Sequence, residues 1–261
     1  MPELPEVERM RRRLRSRIRG RRIRRAEILD RAFVGFGRVA ARARLEGARI
    51  LDVTRRAKFL LVPLDSGATL LLHMGMDGEA YLTRSDAPLD PTVRFRLSLP
   101  GGRDVRYRTV RKLGRIALAR GTDPETLVPL RRLGVEPLSP RFGPRELERH
   151  ARAFRGAVKC LLMTQHRIAG IGNLYSDEIL FRARIHPAAR GGRLDGKRLR
   201  ALHRAIREVL REALRDRPHG RRGWLIDHRT EGARCPRCGA RSRRLRLCGR
   251  SSYFCPGCQR R

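Results

Sequence analysis

Nowhere in this chain does an uninterrupted apolar run approach the roughly 18 residues that a membrane-spanning helix needs. The opening residues, MPELPEVERM, interrupt their apolar positions with charge, so no signal-peptide pattern can be read there. Internal repeats and low-complexity tracts are lacking beyond scattered arginine pairs. A soluble, cytoplasmic protein with no membrane partner is the expectation. Lysine is scarce as well: only Lys58, Lys112, Lys159 and Lys197 stand among 62 basic residues. Where arginine is used almost everywhere, a retained lysine marks a position whose chemistry a guanidinium cannot perform, or survives by chance. Chance is our reading for Lys197, in the loop-like GRLDGKR. Acidic residues are the third deficit, 26 against 62, which leaves a net charge of +36. A chain this basic repels itself unless it meets a polyanion, and nucleic acid is the usual one. An arginine-biased genome or adaptation to salt is the competing explanation.

The 261 residues, 40% of them hydrophobic, suffice for two domains with a small appendage. After Pro5, apolar side chains recur at Val7, Met10, Leu14 and Ile18, one stripe of an amphipathic helix that Gly20 stops. From about 45 to 120 the pattern shortens to KFLLVPL, TLLLH, VRFRLSL and RIALA, separated by Gly and Pro, which predicts a β-rich domain with one leading helix. Residues 121–145 are rich in Pro and Gly. The helical period then returns, with one stripe at Leu147, Ala151 and Phe154 and another at Leu199, Leu202, Ile206, Val209 and Ala213. The expected domains are 1–130, 131–225 and 226–261, the last too small for a core of its own and in need of a metal staple.

Three groups of residues carry chemistry. Cys235-Pro-Arg-Cys238 and Cys255-Pro-Gly-Cys258 are two C-x-x-C knuckles with 16 residues between them, a spacing that closes a tetrahedral site for one structural zinc ion. A redox pair is the weaker alternative. Cys160, beside Leu161 and Leu162, reads as core, and exchange of Cys248 into the metal site stays open. In AGIGNLYSDEILF, Gly170 and Gly172 permit a tight turn before a helix whose N-terminus, with Asn173, forms a phosphate seat. An ordinary helix corner is the alternative. At the start, a residue as small as Pro2 permits removal of Met1, leaving a secondary amine that titrates near neutrality. Such an amine condenses with a sugar C1′ to an iminium ion, with Glu3 and Glu6 at hand as proton carriers. An N-cap followed by a proline is the plain alternative.

Taken in order, PELPEVE at the start, RRAKFLL at 55–61, HMGMDG at 73–78, GIGNLYSDE and GRSSYFCPGCQ at 249–259 resemble the formamidopyrimidine-DNA glycosylase family over essentially the whole chain. The resemblance implies an α+β fold. An N-terminal β-sandwich with a leading helix precedes a helix–two-turns–helix domain and a zinc ribbon, and damaged duplex DNA lies across a basic cleft. It implies a monomeric, bacterial, nucleoid-associated enzyme of base excision repair, both glycosylase and abasic-site lyase, cutting the strand by β,δ-elimination. Carried over residue by residue, Pro2 is similar to the nucleophile, Glu3 to its proton-transfer partner and Glu6 to a supporting member of the site. Lys58 is similar to the lysine that sits by the lesion's phosphate and takes part in catalysis. Lys159 occupies the DNA-binding lysine position ahead of the helix–two-turns–helix segment, and Asn173 and Arg250 match the residues that grip phosphates. Met74, Arg111 and Leu113 match the side chains that fill the hole left by an extruded nucleotide; core packing is the alternative for Met74 and Leu113.

The chain departs from the family in three places. Thr109 and Val110 stand where an Asp-Pro is common and Leu113 where a Phe is. Thr164 replaces a common Asp. The 216–234 connection is short where the family carries a loop that closes over an extruded 8-oxoguanine, which turns the expected substrates toward formamidopyrimidines, oxidised pyrimidines or baseless sites. A non-catalytic damage binder and a zinc-ribbon RNA-binding protein are the other two classes that the composition allows.

Overall fold

The computed structural model describes residues 2–32, 34–35, 37–121, 123, 127, 130–215 and 223–260. The chain forms two compact units, Met1–Arg132 and Leu133–Arg261.

In the first unit, α1 (Leu4–Ile18) starts with Pro5 in its first turn and Glu3 as N-cap. Glu3 and Glu6 cap reciprocally: the Glu3 backbone N–H donates to Glu6 Oε2 at 2.9 Å, and the Glu3 carboxylate accepts from the Glu6 backbone. Such a cap stabilises a helix by about 1 kcal/mol. Leu4, Val7, Leu14 and Ile18 are buried, with Met10 partly so. Two four-stranded antiparallel sheets follow. One orders β1 (Arg25–Ile28), β6 (Val93–Leu99), β7 (Arg103–Arg108) and β5 (Glu79–Arg84) as β1-β6-β7-β5. The other orders β2 (Thr54–Arg56), β3 (Phe59–Pro63), β4 (Ala68–His73) and β8 (Arg115–Arg120) as β2-β3-β4-β8. In β6 alternate residues Val93, Phe95, Leu97 and Leu99 are buried, the period-2 signature of a sheet with one face inward. Phe95, Leu97 and Leu99 share one cluster with Leu60, Val62, Leu70 and Leu72 of the facing sheet and with Val7, Leu14 and Ile18 of α1. The result is a β-sandwich with a leading helix, as the sequence implied.

One element goes beyond the expected single helix. Between β1 and β2 lies α2 (Arg38–Leu45), which buries Ala41 and Leu45. Two apolar positions one turn apart amid arginines are too short a stripe to read in advance.

In the second unit, α3 (Pro144–Arg152), α4 (Val158–Met163), α5 (Asn173–Arg182) and α6 (Gly196–Arg215) surround a separate core. The α6 stripe is buried at Leu199, Leu202, Ile206, Val209 and Ala213. Each branched side chain there contributes roughly 1.5–3 kcal/mol. After a 3-10 turn at Ile226–His228, β9 (Arg243–Leu247) and β10 (Arg250–Phe254) form a hairpin closed by Cys248 and Gly249, both at positive φ. Leu225, Cys235 and Cys255 pack on Phe181 of α5, so the knuckles share the body's packing. Among the described residues no helix is long and apolar enough to cross a membrane.

Candidate active site and zinc centre

In the first unit, α1 packs on β2, β3 and β5. Glu8 of α1 accepts from Arg55 Nε at 3.1 Å, which joins the helix's N-terminal half to the strand pair whose turn carries Lys58. That turn is tight, with Ala57 at φ +51°. Glu3 is fully buried and Glu6 half-buried, while Pro2 remains partly exposed ahead of them. Lys58 lends the turn a positive potential. The imidazole pKa of His73, opposite Phe59, is pushed down to about 4, first by burial and then by Lys58 and Arg115.

The turns carrying Met74, Arg111 and Leu113 are laced together. Gly75 sits at φ +58° so close to Leu113 and Gly114 that any side chain would overlap their backbone. Asp77 Oδ2 accepts the backbone N–H groups of Val110 and Arg111 at 2.8 and 2.9 Å, and its Oδ1 accepts the Thr109 hydroxyl at 2.8 Å. Burial pushes Asp77 up, but these three donors outweigh it and hold the carboxyl below the usual range. Arg111 is exposed and Leu113 is 54% exposed, whereas Met74 is fully buried in the sandwich core. Core packing is therefore what the structure gives Met74, and the protruding tip consists of Val110, Arg111 and Leu113. Replacing Asp77 by alanine is expected to lower stability by about 1 kcal/mol, since it removes three hydrogen bonds, two of them from exposed N–H groups that water can satisfy. Thermal melting checks this. Amide exchange at Val110 and Arg111 should rise in parallel, and unchanged exchange there would count against the lacing.

In the second unit, Gly170 at φ +105° makes the tight turn before α5. Gln165 fixes that turn: its side-chain amide donates to Ile171 O at 2.7 Å and its carbonyl accepts the Gly170 N–H at 2.9 Å. Gly172, the N-cap of α5, offers no side chain to cap the helix, and Asn173 Oδ1 has no hydrogen-bond partner among the described residues. An anion arriving at this helix end meets a favourable dipole and the Asn173 amide.

Lys159 is placed differently from the DNA contact that the resemblance implies. It is 0% exposed, and its ammonium lies 2.6 Å from Asp177 Oδ1. A buried cation without a partner would be unfavourable by several kcal/mol, and the carboxylate answers that need instead of DNA. Asp177 also receives Arg229 Nε and Nη2 at 3.1 and 3.0 Å, the Ser252 hydroxyl at 2.9 Å and the Tyr253 N–H at 3.2 Å. Neither Asp177 nor Arg229 stood out in the sequence. An acidic pair, Asp177-Glu178, directly before the apolar Ile179-Leu180-Phe181 of α5 was the signal available.

Glu178 is fully buried and accepts the N–H groups of Leu225 and Ile226 at 2.7 and 3.2 Å. Burial pushes its pKa from 4.5 up to about 7 against those two donors and Arg182. Its contribution to stability is thus complete below pH 4.5 and lost as pH rises through 7, an interval worth about 3 kcal/mol. Glu178→Gln keeps an acceptor for both N–H groups without the charge. Between pH 5 and pH 8, wild-type stability should fall relative to that variant by about 2–3 kcal/mol. The only tryptophan, Trp224, is buried beside Leu225 and reports urea unfolding of this unit by fluorescence. Parallel pH profiles for the two proteins would sink the idea.

The four cysteines Cys235, Cys238, Cys255 and Cys258 place their sulfurs within 4.8 Å of one another. Cys235–Cys258 and Cys238–Cys255 are separated by 3.9 and 3.4 Å, against about 3.8 Å for sulfurs arranged tetrahedrally around zinc. The Ala240 N–H and the neighbouring thiols lower Cys238 to about 7, whereas burial pushes the Cys255 and Cys258 thiols up, so a bound metal would have to displace their protons. The donor set fits a structural zinc ion, which when bound ties the two knuckles together. Cys248 does not exchange into this set, and Cys160 is not simply core: the two form a disulfide across 88 residues. No spacing rule would have paired them. Gly249, the other residue of this hairpin turn, leads directly to Arg250, which is exposed at the start of β10.

A profile of the formamidopyrimidine-DNA glycosylase N-terminal domain matches residues 1–116, that family's helix–two-turns–helix domain matches 133–222, and a zinc finger found in these glycosylases and isoleucyl-tRNA synthetases matches 232–261. The formamidopyrimidine-DNA glycosylase of Halorhodospira halophila is 41% identical, with both chains covered in full. The chain belongs to the formamidopyrimidine-DNA glycosylase family. It is thus an enzyme of a DNA-repair glycosylase family with a zinc finger. The Symbiobacterium thermophilum glycosylase is 39% identical, covering 99% of this chain and 89% of its own. The Lactococcus lactis glycosylase, crystallised with DNA containing a formamidopyrimidine lesion, has TM-score 0.90 at 31% identity, covering 99% of this chain and all of its own. The same bacterium's enzyme bound non-covalently to DNA with an abasic site has TM-score 0.89 at 29% identity, covering 99% of this chain and all of its own.

Within the family the departures acquire a physical account. Thr109, at one departure, donates its hydroxyl to Asp77 Oδ1 at 2.8 Å, so the loop is held from the preceding turn. Thr164, at another departure, donates its hydroxyl to Cys160 O at 2.7 Å and closes α4. Of the short 216–234 connection, residues 216–222 lie outside the described residues.

Proposed function

We propose that this chain excises oxidised bases from duplex DNA and cleaves the strand at the resulting abasic site, using the amine of Pro2 once Met1 is removed. The observation that carries the reading is in the first unit: a partly exposed Pro2 leads into the rigid Glu3–Glu6 capping box, and α1 is docked through Glu8 on the strand pair that bears Lys58. The crystallised relatives bound to lesion-containing and abasic DNA support the substrate class.

In this reading the Pro2 nitrogen attacks C1′, the C1′–N bond to the base breaks and the base leaves with a proton. Glu3 moves the protons that ring opening requires, with Glu6 holding Glu3 in place. The iminium formed at C1′ draws electrons, a proton leaves C2′ and the C3′–O bond breaks. A second elimination breaks C5′–O, and water then releases Pro2. Lys58 steadies the phosphate at the lesion. Asn173 and Arg250 grip flanking phosphates, and Arg111 with Leu113 occupies the gap in the stack. Lys159 serves by holding Asp177, and the buried Met74 serves by supporting the turn beside the gap. We assign the residues to three parts: 1–130 for catalysis, 131–225 for DNA binding and 226–261 for the zinc finger.

Borohydride reduction during turnover is the direct test. Duplexes carrying an abasic site, 8-oxoguanine or an oxidised pyrimidine are incubated with zinc-loaded protein whose Met1 is absent by mass spectrometry. A covalent adduct mapping to Pro2 is expected, fastest with the abasic or pyrimidine duplex. Absence of any adduct reduces the chain to a damage binder. Binding should weaken steeply with salt, because several phosphates are neutralised.

A further inference from the structure

Hairpin β9–β10 is unevenly buried: β9 has no fully buried residue, β10 turns Ser252 and Phe254 inward, and two strands alone are marginal in water. Arg250 nevertheless stands on it, a long side chain with much rotamer freedom to lose on gripping anything. What holds its backbone comes from the helical body, on both sides of position 250. Before it, Cys248 is bonded to Cys160 of α4. After it, Ser251 O accepts Lys159 Nζ at 3.3 Å, the Ser252 hydroxyl donates to Asp177 Oδ1 at 2.9 Å and the Tyr253 N–H donates to Asp177 Oδ2 at 3.2 Å. Asp177 itself lies four residues after Asn173, hence one turn along the same face of α5.

We propose that Asp177 is a positioning residue for the DNA grip, fixing the Arg250-bearing strand to the Asn173-bearing helix so that the two donors meet neighbouring phosphates at a set spacing. This rests on the DNA-binding role proposed above for Arg250 and Asn173. Asp177 touches no DNA: it is 1% exposed, and its carboxylate oxygens are occupied by Lys159, Arg229, Ser252 and Tyr253. Lys159 and Arg229 both form ion pairs with Asp177 there. The Cys160–Cys248 bond fixes the other end of the turn independently of that charge.

The test is a double-mutant cycle on affinity for a duplex carrying a tetrahydrofuran abasic analogue, with full-length, zinc-loaded proteins whose metal content is measured. Arg250→Ala is the reference. Asp177→Asn should weaken binding about tenfold in the wild-type background and less than about twofold in the Arg250→Ala background, because the contact it positions is already gone. Equal losses in both backgrounds would mean a general structural role and overturn the proposal, as would no loss in either. Should Asp177→Asn not fold, Ser252→Ala decides in its place, with about a threefold loss in wild type and none beside Arg250→Ala expected. Failure of the wild-type protein itself to bind the duplex would refute the proposed function, which is a separate outcome from a cycle without coupling.

Discussion

Replacing Pro2 by glycine, in protein freed of Met1, is expected to slow base excision by on the order of 10³, about 4 kcal/mol of barrier. Affinity for an abasic-analogue duplex should stay within about twofold. The reason is electronic and conformational together. Condensation of a secondary amine gives an iminium cation outright, so the electron sink exists as soon as the bond forms. A primary amine gives an imine that must be protonated first. The pyrrolidine ring also restricts the amine next to Glu3, whereas glycine at the chain start samples many orientations. Helix α1 should survive the change, since its cap is the Glu3–Glu6 pair and its first-turn proline is Pro5. Single-turnover excision on a duplex with a formamidopyrimidine lesion reads the effect, and circular dichroism verifies the fold. Excision within tenfold of wild type would remove Pro2 from the nucleophile's role.

What the sequence disclosed and what it hid divide along physical lines. Ligand spacing discloses the zinc cysteines, because two C-x-x-C knuckles have few other uses. Period discloses α1, α6 and the strands with apolar alternation. Strand β7 stayed hidden because its sequence, RDVRYR, reads as polar. Yet Arg106 is 2% exposed, its guanidinium donating to the carbonyls of Pro88 and Ala87 at 2.8 Å. An arginine buried against backbone carbonyls looks, in a chain with so many arginines, like any exposed one. Arg229 was invisible for the same reason. Lys159 was found but misplaced: scarcity of lysine marked it as special, and only the fold could say that its partner is Asp177 rather than DNA. Asp77 and the Cys160–Cys248 bond depend on contacts between distant segments, which local pattern does not encode. The candidate site was therefore legible in its reacting groups and illegible in the groups that hold them.

Withdrawing the metal should have the largest effect on stability. Peptides of this kind bind structural zinc with roughly 10–16 kcal/mol, and most of that energy folds the finger. Here the metal ties together much of what the finger buries: its cluster is Phe181, Leu225, Cys235 and Cys255, and strand β9 has no fully buried residue. Treatment with a strong chelator, without thiol reductant, is expected to release residues 235–260 except where Cys248 stays bonded to Cys160. Helix signal from α1 and α3–α6 should persist, because their cores, around Val7 and Leu14 and around Leu147 and Ala213, contain no cysteine ligand. Affinity for the abasic-analogue duplex should drop at least about tenfold as Arg250 loses its register, and zinc but not magnesium should restore it. Reducing the disulfide in the chelated protein should weaken binding further, since the last covalent hold on the turn before Arg250 is then gone. Undiminished binding by metal-free protein would show that the Asp177 cluster and the disulfide hold the hairpin without help.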